Sequence, residues 1–266
     1  MAKTIDFTAQ NVKPFSAWLK KFASIENSLL IEVDEKNKCF VAKSYNEEKS
    51  VVKYAKISFV DAGFSLKKES KDSQFIKIGI YNISHVIKSL DHFSTGEFSF
   101  SVQYEEILDN QEKNLAGTAL LIKNPSLKVK IECTSLNIFK YISDDLFMNR
   151  IAQTDPITTF DLPSVTIEKV NSLCDLDKEY KFLEFMIRDK KVFVRGKSFE
   201  LEVADNGDEK TLLSLYKDQF EKVDIENYKV NFGEDKLVFK SKDSDTVTVT
   251  SMVVKDEKYE ENSLEF

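Results

Sequence analysis

The feature that most constrains this chain is an internal repeat. Residues 5–19 reappear, without a gap, as residues 160–174. In both stretches a short β-type run with a central aspartate precedes apolar residues at helical spacing. We therefore expect two copies of one domain, each beginning with a strand and then a helix.

The repeat continues beyond this helix and predicts the fold class. In each copy two apolar runs flank a short charged turn, at residues 29–41 and 182–194, which is typical of a β-hairpin. Further strands are predicted at residues 97–104, 119–122, 127–133, 228–232, 236–240 and 246–254. Helices are predicted at residues 11–25, 82–93, 166–175 and 210–222. The prediction is an α+β protein with two duplicated domains, each with two helices packed on antiparallel sheets. The domains are residues 1–143 and 158–266, joined by a connector at residues 144–157.

Composition agrees with two ordinary domains. The chain has 266 residues, 42% of them hydrophobic, with 21 phenylalanines but only 7 glycines and 4 prolines. No apolar run approaches the roughly 20 residues that span a bilayer, and no signal peptide is recognisable, so we expect a cytoplasmic protein. The three cysteines lack CxxC spacing and fit buried side chains in a reducing compartment.

Motifs for catalysis are absent from the sequence. It contains no Gly-rich phosphate loop, no GxSxG and no metal-ligand helix motif. His85 and His92 lie seven residues apart without a third ligand, so we expect them to face solvent. The acidic stretch at residues 105–117 has no counterpart in the second copy and is predicted to be an exposed loop. We predict a protein that is not an enzyme and needs no metal or cofactor.

The lysines are distributed unevenly. The formal net charge is −7, yet residues 11–25 hold three lysines and no acidic residue. The apolar stripe of this helix leaves those lysines on the opposite side. One interpretation is a dedicated positive surface; the other is that amphipathic helices ordinarily place lysines in water. The sequence alone leaves both open.

Several short segments resemble one family. They are residues 21–27, which lead into the first hairpin, 80–83, 183–196, 227–230, and the acidic ending 260–266. Together with the repeat, they resemble the phage type of DNA polymerase sliding clamp, a ring-shaped processivity factor related to the proliferating cell nuclear antigen. The similarity spans most of the chain, although each segment is short.

This resemblance implies a fold and a set of partners. The helices would line the inner wall of a ring of three copies, and the ring would hold duplex DNA through its phosphates without reading the bases. It would tether a replicative DNA polymerase and be opened by a clamp loader, in a bacterial host cytoplasm if the protein is viral. The DNA-binding candidates on the inner helices are Lys13, Lys20, Lys21, Lys88, Lys169, Lys210, Lys217 and Lys222.

The connector has apolar side chains that suggest a second site. In clamps the groove beside the connector receives short hydrophobic peptides from partner proteins. The candidates for such a groove are Leu146, Phe147, Met148, Ile151, Leu264 and Phe266. Alternatively, the connector side chains simply attach it to the sheet, and the two terminal residues could seal a subunit contact. The rival to the clamp function is a two-domain β-rich structural or virion assembly protein that binds protein rather than DNA.

Overall fold

The computed structural model describes residues 3–68, 74–93, 96–109, 112–205 and 211–252. The chain divides into two compact units. Unit 1 comprises Met1–Ser44 and Tyr54–Ile142, and unit 2 comprises Tyr45–Lys53 and Ser143–Phe266. Residues Tyr45–Lys53, which run from the end of the third strand into the start of the fourth, thus belong to the second unit.

Unit 1 is a sheet-rich α+β structure. Its helices are α1 (Lys13–Ala23) and α2 (Ile83–Asp91). Its strands are β1 (Lys3–Ala9), β2 (Leu29–Asp34), β3 (Cys39–Tyr45), β4 (Val51–Ser58), β5 (Phe64–Leu66), β6 (Phe75–Ile80), β7 (Phe98–Asp109), β8 (Glu112–Lys123) and β9 (Lys128–Glu132). The strand order is β4-β3-β2-β6-β8-β7-β1-β5, with β9 paired to β8. Antiparallel pairing dominates, and β6 with β8 is a parallel pair.

One aromatic core holds unit 1 together. Phe15, Trp18 and Phe22 of α1 are buried against apolar residues of the sheet, and Val86 and Leu90 of α2 join the same cluster. The rings of Phe15 and Phe40 lie 4.9 Å apart between their centroids. Such rings bury a large apolar area per residue, so this packing fixes both helices on one side of the sheet.

Unit 2 repeats the plan with shorter elements. Its helices are α3 (Asp144–Leu146), α4 (Ser164–Cys174) and α5 (Lys217–Phe220), and a π-helical turn covers Phe147–Ile151. Its strands are β10 (Thr158–Leu162), β11 (Phe182–Arg188), β12 (Lys191–Arg195), β13 (Glu200–Ala204), β14 (Thr211–Tyr216), β15 (Tyr228–Phe232), β16 (Lys236–Ser241) and β17 (Asp245–Ser251). They form the antiparallel series β10-β15-β16-β17 and β13-β12-β11-β14.

The predicted helix at residues 210–222 is wrong. Thr211–Tyr216 is strand β14, and only the four residues Lys217–Phe220 are helical. Leu213 and Leu215 are buried and pair with Phe185 and Leu183 of β11. A short apolar run fits both periodicities, and here the pairing with β11 selects the strand.

The predicted loop at residues 105–117 is also wrong. β7 and β8 continue as a paired ribbon in which Glu105 pairs with Ala116 and Glu106 with Leu115, and β6 also pairs with β8 at these positions. The ammonium group of Lys113 lies 3.0 Å from the Glu106 carboxylate across the ribbon. Charged side chains suit a solvated ribbon, so an acidic composition does not exclude strands.

Candidate functional sites

Helix α1 presents its lysines to solvent. Lys13 and Lys20 are exposed and seven residues apart on one face, while Lys21 is half-buried. Pro14 stands in the first turn, where a missing N–H removes no helical hydrogen bond. The buried face of α1 fixes the direction of these two lysines, so they lie on the side of the helix away from the sheet.

Helix α2 packs beside α1, and two asparagines cap it. The Asn82 side chain accepts from the His85 N–H at 2.8 Å, and the Asn27 backbone carbonyl accepts from the Ile83 N–H at 2.8 Å. The Asn27 side chain also accepts from the Ser84 N–H and Oγ–H, at 3.4 and 3.2 Å. Lys88 is exposed on this helix. The beginning of α2 is thereby tied to the chain that follows α1.

Unit 2 offers fewer available lysines on its helices. Lys169 of α4 is exposed, but it follows the exposed Glu168. The ammonium group of Lys222 lies 3.4 Å from the Asp218 carboxylate. The exposed surface of α4 also includes an apolar side chain, Val165, which is 66% exposed. The helices of unit 2 therefore lack the excess of positive charge seen in unit 1.

Lys217 is buried, contrary to the expectation of an exposed, DNA-facing side chain. Its ammonium group donates to the backbone carbonyls of Asp177, at 2.5 Å, and Cys174, at 3.3 Å. These carbonyls lie at and just beyond the end of α4, where helices leave acceptors without partners. Lys217 thus stabilises the end of α4. Lys210, another DNA-binding candidate, lies outside the described residues.

Beside Lys217, Asp177 is a buried carboxylate that accepts two hydrogen bonds. The Ser198 N–H donates at 2.8 Å, and the Ser198 hydroxyl donates to the other carboxylate oxygen. Burial raises the pKa of Asp177, but these bonds and the positive charge of Lys217 outweigh it, lowering the pKa below its ordinary value of 3.8. The ionised form is therefore favoured in the folded protein.

This lowered pKa predicts acid-sensitive stability. The folded-state pKa of Asp177 lies below the unfolded one, so its stabilising contribution is present above about pH 4 and disappears as the pH falls through the folded value. We expect Ser198→Ala to lower the free energy of unfolding by about 1–2 kcal/mol at neutral pH, and by less in acid. Urea unfolding at both pH values measures this. An equal loss at both would show that Ser198 acts independently of the carboxylate charge.

The connector contains one anchor and several exposed side chains. Phe147 is fully buried, whereas Leu146 and Met148 are 37% and 40% exposed. Ile151 is half-buried, and its carbonyl accepts from the Lys236 ammonium group at 3.0 Å. Burial makes Phe147 an attachment of the connector, rather than part of an open groove. Leu264 and Phe266 lie outside the described residues.

The chain just before the connector contains apolar candidates that sequence reasoning missed. Ile138 is 59% exposed, and the Tyr141 ring lies 4.0 Å from the Lys77 ammonium group. Gly79 permits the approach of this segment, because a Cβ there would lie 2.6 Å from the Thr134 carbonyl oxygen. An isolated glycine inside an apolar strand was the sequence signal for this close contact.

The described parts of the chain give little support for a metal site, a reactive cysteine or a membrane-spanning helix. These parts contain no group of three or more His, Cys, Asp or Glu residues placed to hold a metal ion. Burial raises the pKa of Cys133 to about 12 and that of Cys174 to about 11, so both stay protonated thiols. None of the described helices has the length and apolar character to cross a membrane.

Comparisons with known proteins identify the fold through structure alone. No protein-family model matches the chain, and no curated protein matches its sequence. Among solved structures, a Helicobacter pylori beta clamp bound to a DNA ligase peptide superposes with a TM-score of 0.66 at 12% identity, covering 95% of this chain and 66% of that one. The Pseudomonas aeruginosa sliding clamp, bound to griselimycin, gives 0.63 at 8% identity, covering 99% and 69%.

An archaeal structure matches over its full length. A. fulgidus PCNA, bound to the C-terminal region of FEN-1, gives a TM-score of 0.63 at 10% identity, covering 95% of this chain and 100% of that one. This chain thus spans about two thirds of the bacterial clamps and the whole of the archaeal one. The protein has the DNA clamp fold, which confirms the fold class expected from the repeat.

Proposed function

We propose that this protein is a DNA sliding clamp: a ring that encircles duplex DNA and tethers a replicative DNA polymerase. The main support is the exposed lysine surface of α1 on a clamp-fold chain of net charge −7. Lysines attract the phosphates of any sequence, and the acidic remainder repels DNA from other surfaces. The proposed function is non-catalytic, and its location is the cytoplasm.

We propose that the two units contribute unequally to DNA binding. Lys13, Lys20 and Lys88 of unit 1 would make the main phosphate contacts, with Lys21 beside them. Lys169 and Lys222 of unit 2 would contribute less, because acidic side chains accompany both. Lys210 remains a candidate of this proposed surface. In this arrangement the basic surface recurs once per subunit rather than once per domain.

The proposed ring has three copies. The domain division that we propose is residues 1–143 and 158–266 around a connector at 144–157, and three such chains supply six domains. Head-to-tail contacts between identical chains close into a ring when the rotation per subunit allows it. The phage-type resemblance of the sequence supports a viral source, in which case the working compartment is a bacterial host.

Two edge strands are suited to close this ring. β9 and β13 each pair with one neighbour on one side only among the described strands. In β9, Lys128 and Lys130 alternate with Val129 and Ile131; in β13, acidic residues alternate with apolar ones. The acidic side chains of β13 are Glu200 and Glu202. Pairing between copies would satisfy free backbone groups and set lysines opposite glutamates.

A charge exchange tests this interface. We expect Lys128→Glu with Lys130→Glu to convert the trimer to monomers, because four carboxylates then meet across the paired strands. Glu200 and Glu202 are ion-paired within unit 2 with Arg188 and Lys191, so lysines there would create new repulsion. Adding Glu200→Gln and Glu202→Gln in the same chain instead removes the repulsion between copies, keeps acceptors for those two side chains, and should restore trimer formation. Light scattering gives the mass of each variant. A trimer that survives the first pair of changes would place the interface on other strands.

The connector is the proposed docking site for partner peptides. Leu146, Met148 and Ile151 offer apolar surface there, and an exposed apolar patch commonly marks a partner site. The H. pylori clamp is described with a DNA ligase peptide and the A. fulgidus protein with a segment of FEN-1. For this chain we propose the replicative polymerase and the clamp loader, with Leu264 and Phe266 as further candidate contacts.

A topological experiment tests the proposed function. Rings assembled from diluted subunits in the presence of nicked circular duplex DNA should stay with that DNA during gel filtration in high salt. Cutting the circle once should release them, because a ring slides off a free end. The free protein should have three times the 30.6 kDa mass of the chain. Retention that is indifferent to cutting, or a filament or solid particle, would favour a structural assembly protein.

A further inference from the structure

Helix α2 and the residue before it have an exposed row of polar side chains that includes residues other than lysine. His85, Lys88 and His92 are spaced by three and four residues, which places them along one side of α2, and Tyr81 precedes the helix. We call these four residues the α2 row. All are exposed, and Tyr81, just before the capping Asn82, is 73% exposed. Both histidines of the chain lie in this row.

The α2 row has no evident role in holding the fold together. None of its four side chains makes a hydrogen bond or ion pair to another residue in the described parts of the chain. Ile83, Val86 and Leu90, on the opposite side of the helix, are buried in the core and fix its orientation. The row is therefore presented to solvent by a helix whose position is set independently of it.

The helix that carries this row lies next to the helix that carries the lysine surface. α1 packs on α2, and the bonds from Asn27 tie the start of α2 to the end of α1. Asn27 accepts from the N–H groups of Ile83 and Ser84. The Asn82 side chain accepts from the N–H of His85. An anion therefore cannot use these backbone donors, and only side chains are available for contact.

We propose that the α2 row contacts the phosphates of duplex DNA chiefly through O–H and N–H donors rather than through charge. This inference rests on the proposed clamp function and adds Tyr81, His85 and His92 to its DNA surface. Tyrosine hydroxyls and other polar side chains commonly bond DNA phosphates. Such bonds release few counterions, so they add affinity at short range without steepening its salt dependence.

The test compares affinity and salt dependence in the full-length protein. Fluorescence anisotropy with a short duplex, in mildly alkaline buffer at several salt concentrations, gives both quantities. We expect Tyr81→Ala, and His85→Gln with His92→Gln, each to weaken binding about two- to tenfold with an unchanged slope of log affinity against log salt. Tyr81→Phe, which removes only the hydroxyl, should reproduce much of the Tyr81→Ala loss. Val60→Ser, at an exposed residue outside the helices, is the control.

The possible outcomes distinguish a failure of this inference from a failure of the proposed clamp function. Unchanged affinity in the row variants, with reduced affinity in Lys13→Glu/Lys20→Glu, would overturn the inference and leave the clamp function standing. A shallower slope in the row variants would show that these positions act through charge, which also overturns it. Unchanged affinity in both sets would remove the DNA surface of unit 1 and the inference with it. Circular dichroism melting confirms that the variants remain folded.

Discussion

Reversing Lys13 and Lys20 to glutamate should weaken binding to duplex DNA by about tenfold or more while the trimer persists. Both side chains are exposed on α1, away from its buried face, so the change alters charge without touching the core. Each lost phosphate contact should also lower the magnitude of the salt slope by about one. Fluorescence anisotropy across a salt series measures both effects, and light scattering checks the trimer.

Two controls make this result specific. Lys67→Glu with Lys68→Glu changes the net charge equally at exposed positions just beyond β5, outside the helices, and should have little effect. Lys169→Glu on α4 asks whether unit 2 contributes, and we expect a smaller loss than for either α1 lysine. Equal losses in the α1 double variant and in Lys67→Glu/Lys68→Glu, which change the net charge by the same amount, would mean that total charge, and not the α1 surface, governs DNA binding.

Truncating Phe147 should produce the largest loss of stability among the connector residues. The ring is fully buried, so Phe147→Ala removes a large apolar contact and leaves a cavity, at a cost of about 3–5 kcal/mol. Met148→Ala, next to it and 40% exposed, should change stability by less than about 1 kcal/mol. Urea unfolding measures both values.

The same pair of variants separates anchoring from partner binding. Met148→Ala should weaken binding of a polymerase-derived peptide while leaving the unfolding free energy nearly unchanged. Phe147→Leu, which keeps most of the buried volume, should recover most of the stability lost in Phe147→Ala. If Phe147→Ala unfolds like the unchanged protein, the connector is not held by this ring. If Met148→Ala binds the peptide normally, the docking site lies elsewhere.

Sequence reasoning succeeded where the local pattern was long or repeated. α1 and α4 were found because their apolar residues recur at helical spacing in both copies, and the hairpins of β2–β3 and β11–β12 because two β-rich runs flank a charged turn. These signals depend on residues near one another in the chain. Contacts with distant parts of the chain therefore alter these helices and hairpins little.

Sequence reasoning failed where pairing with a distant strand decided the secondary structure of a segment. The run Thr211–Tyr216 became β14 by pairing with β11, and the acidic stretch after Tyr104 became part of β7 by pairing with β8. In the candidate sites the same cause applies. Lys217 is buried because carbonyls at the end of α4 meet its ammonium group, and no spacing in the sequence indicates that contact.

The sequence by itself determined the duplication, the α+β class, the lysines without acidic neighbours on α1 and the apolar connector. It did so because composition and periodicity are local properties of the chain. Only the tertiary structure decided which lysines reach solvent, that Phe147 anchors the connector while Met148 stays exposed, and that α2, with its exposed row, packs against α1. Burial and neighbourhood arise from contacts between segments far apart in sequence, so they appear only when those segments are packed together.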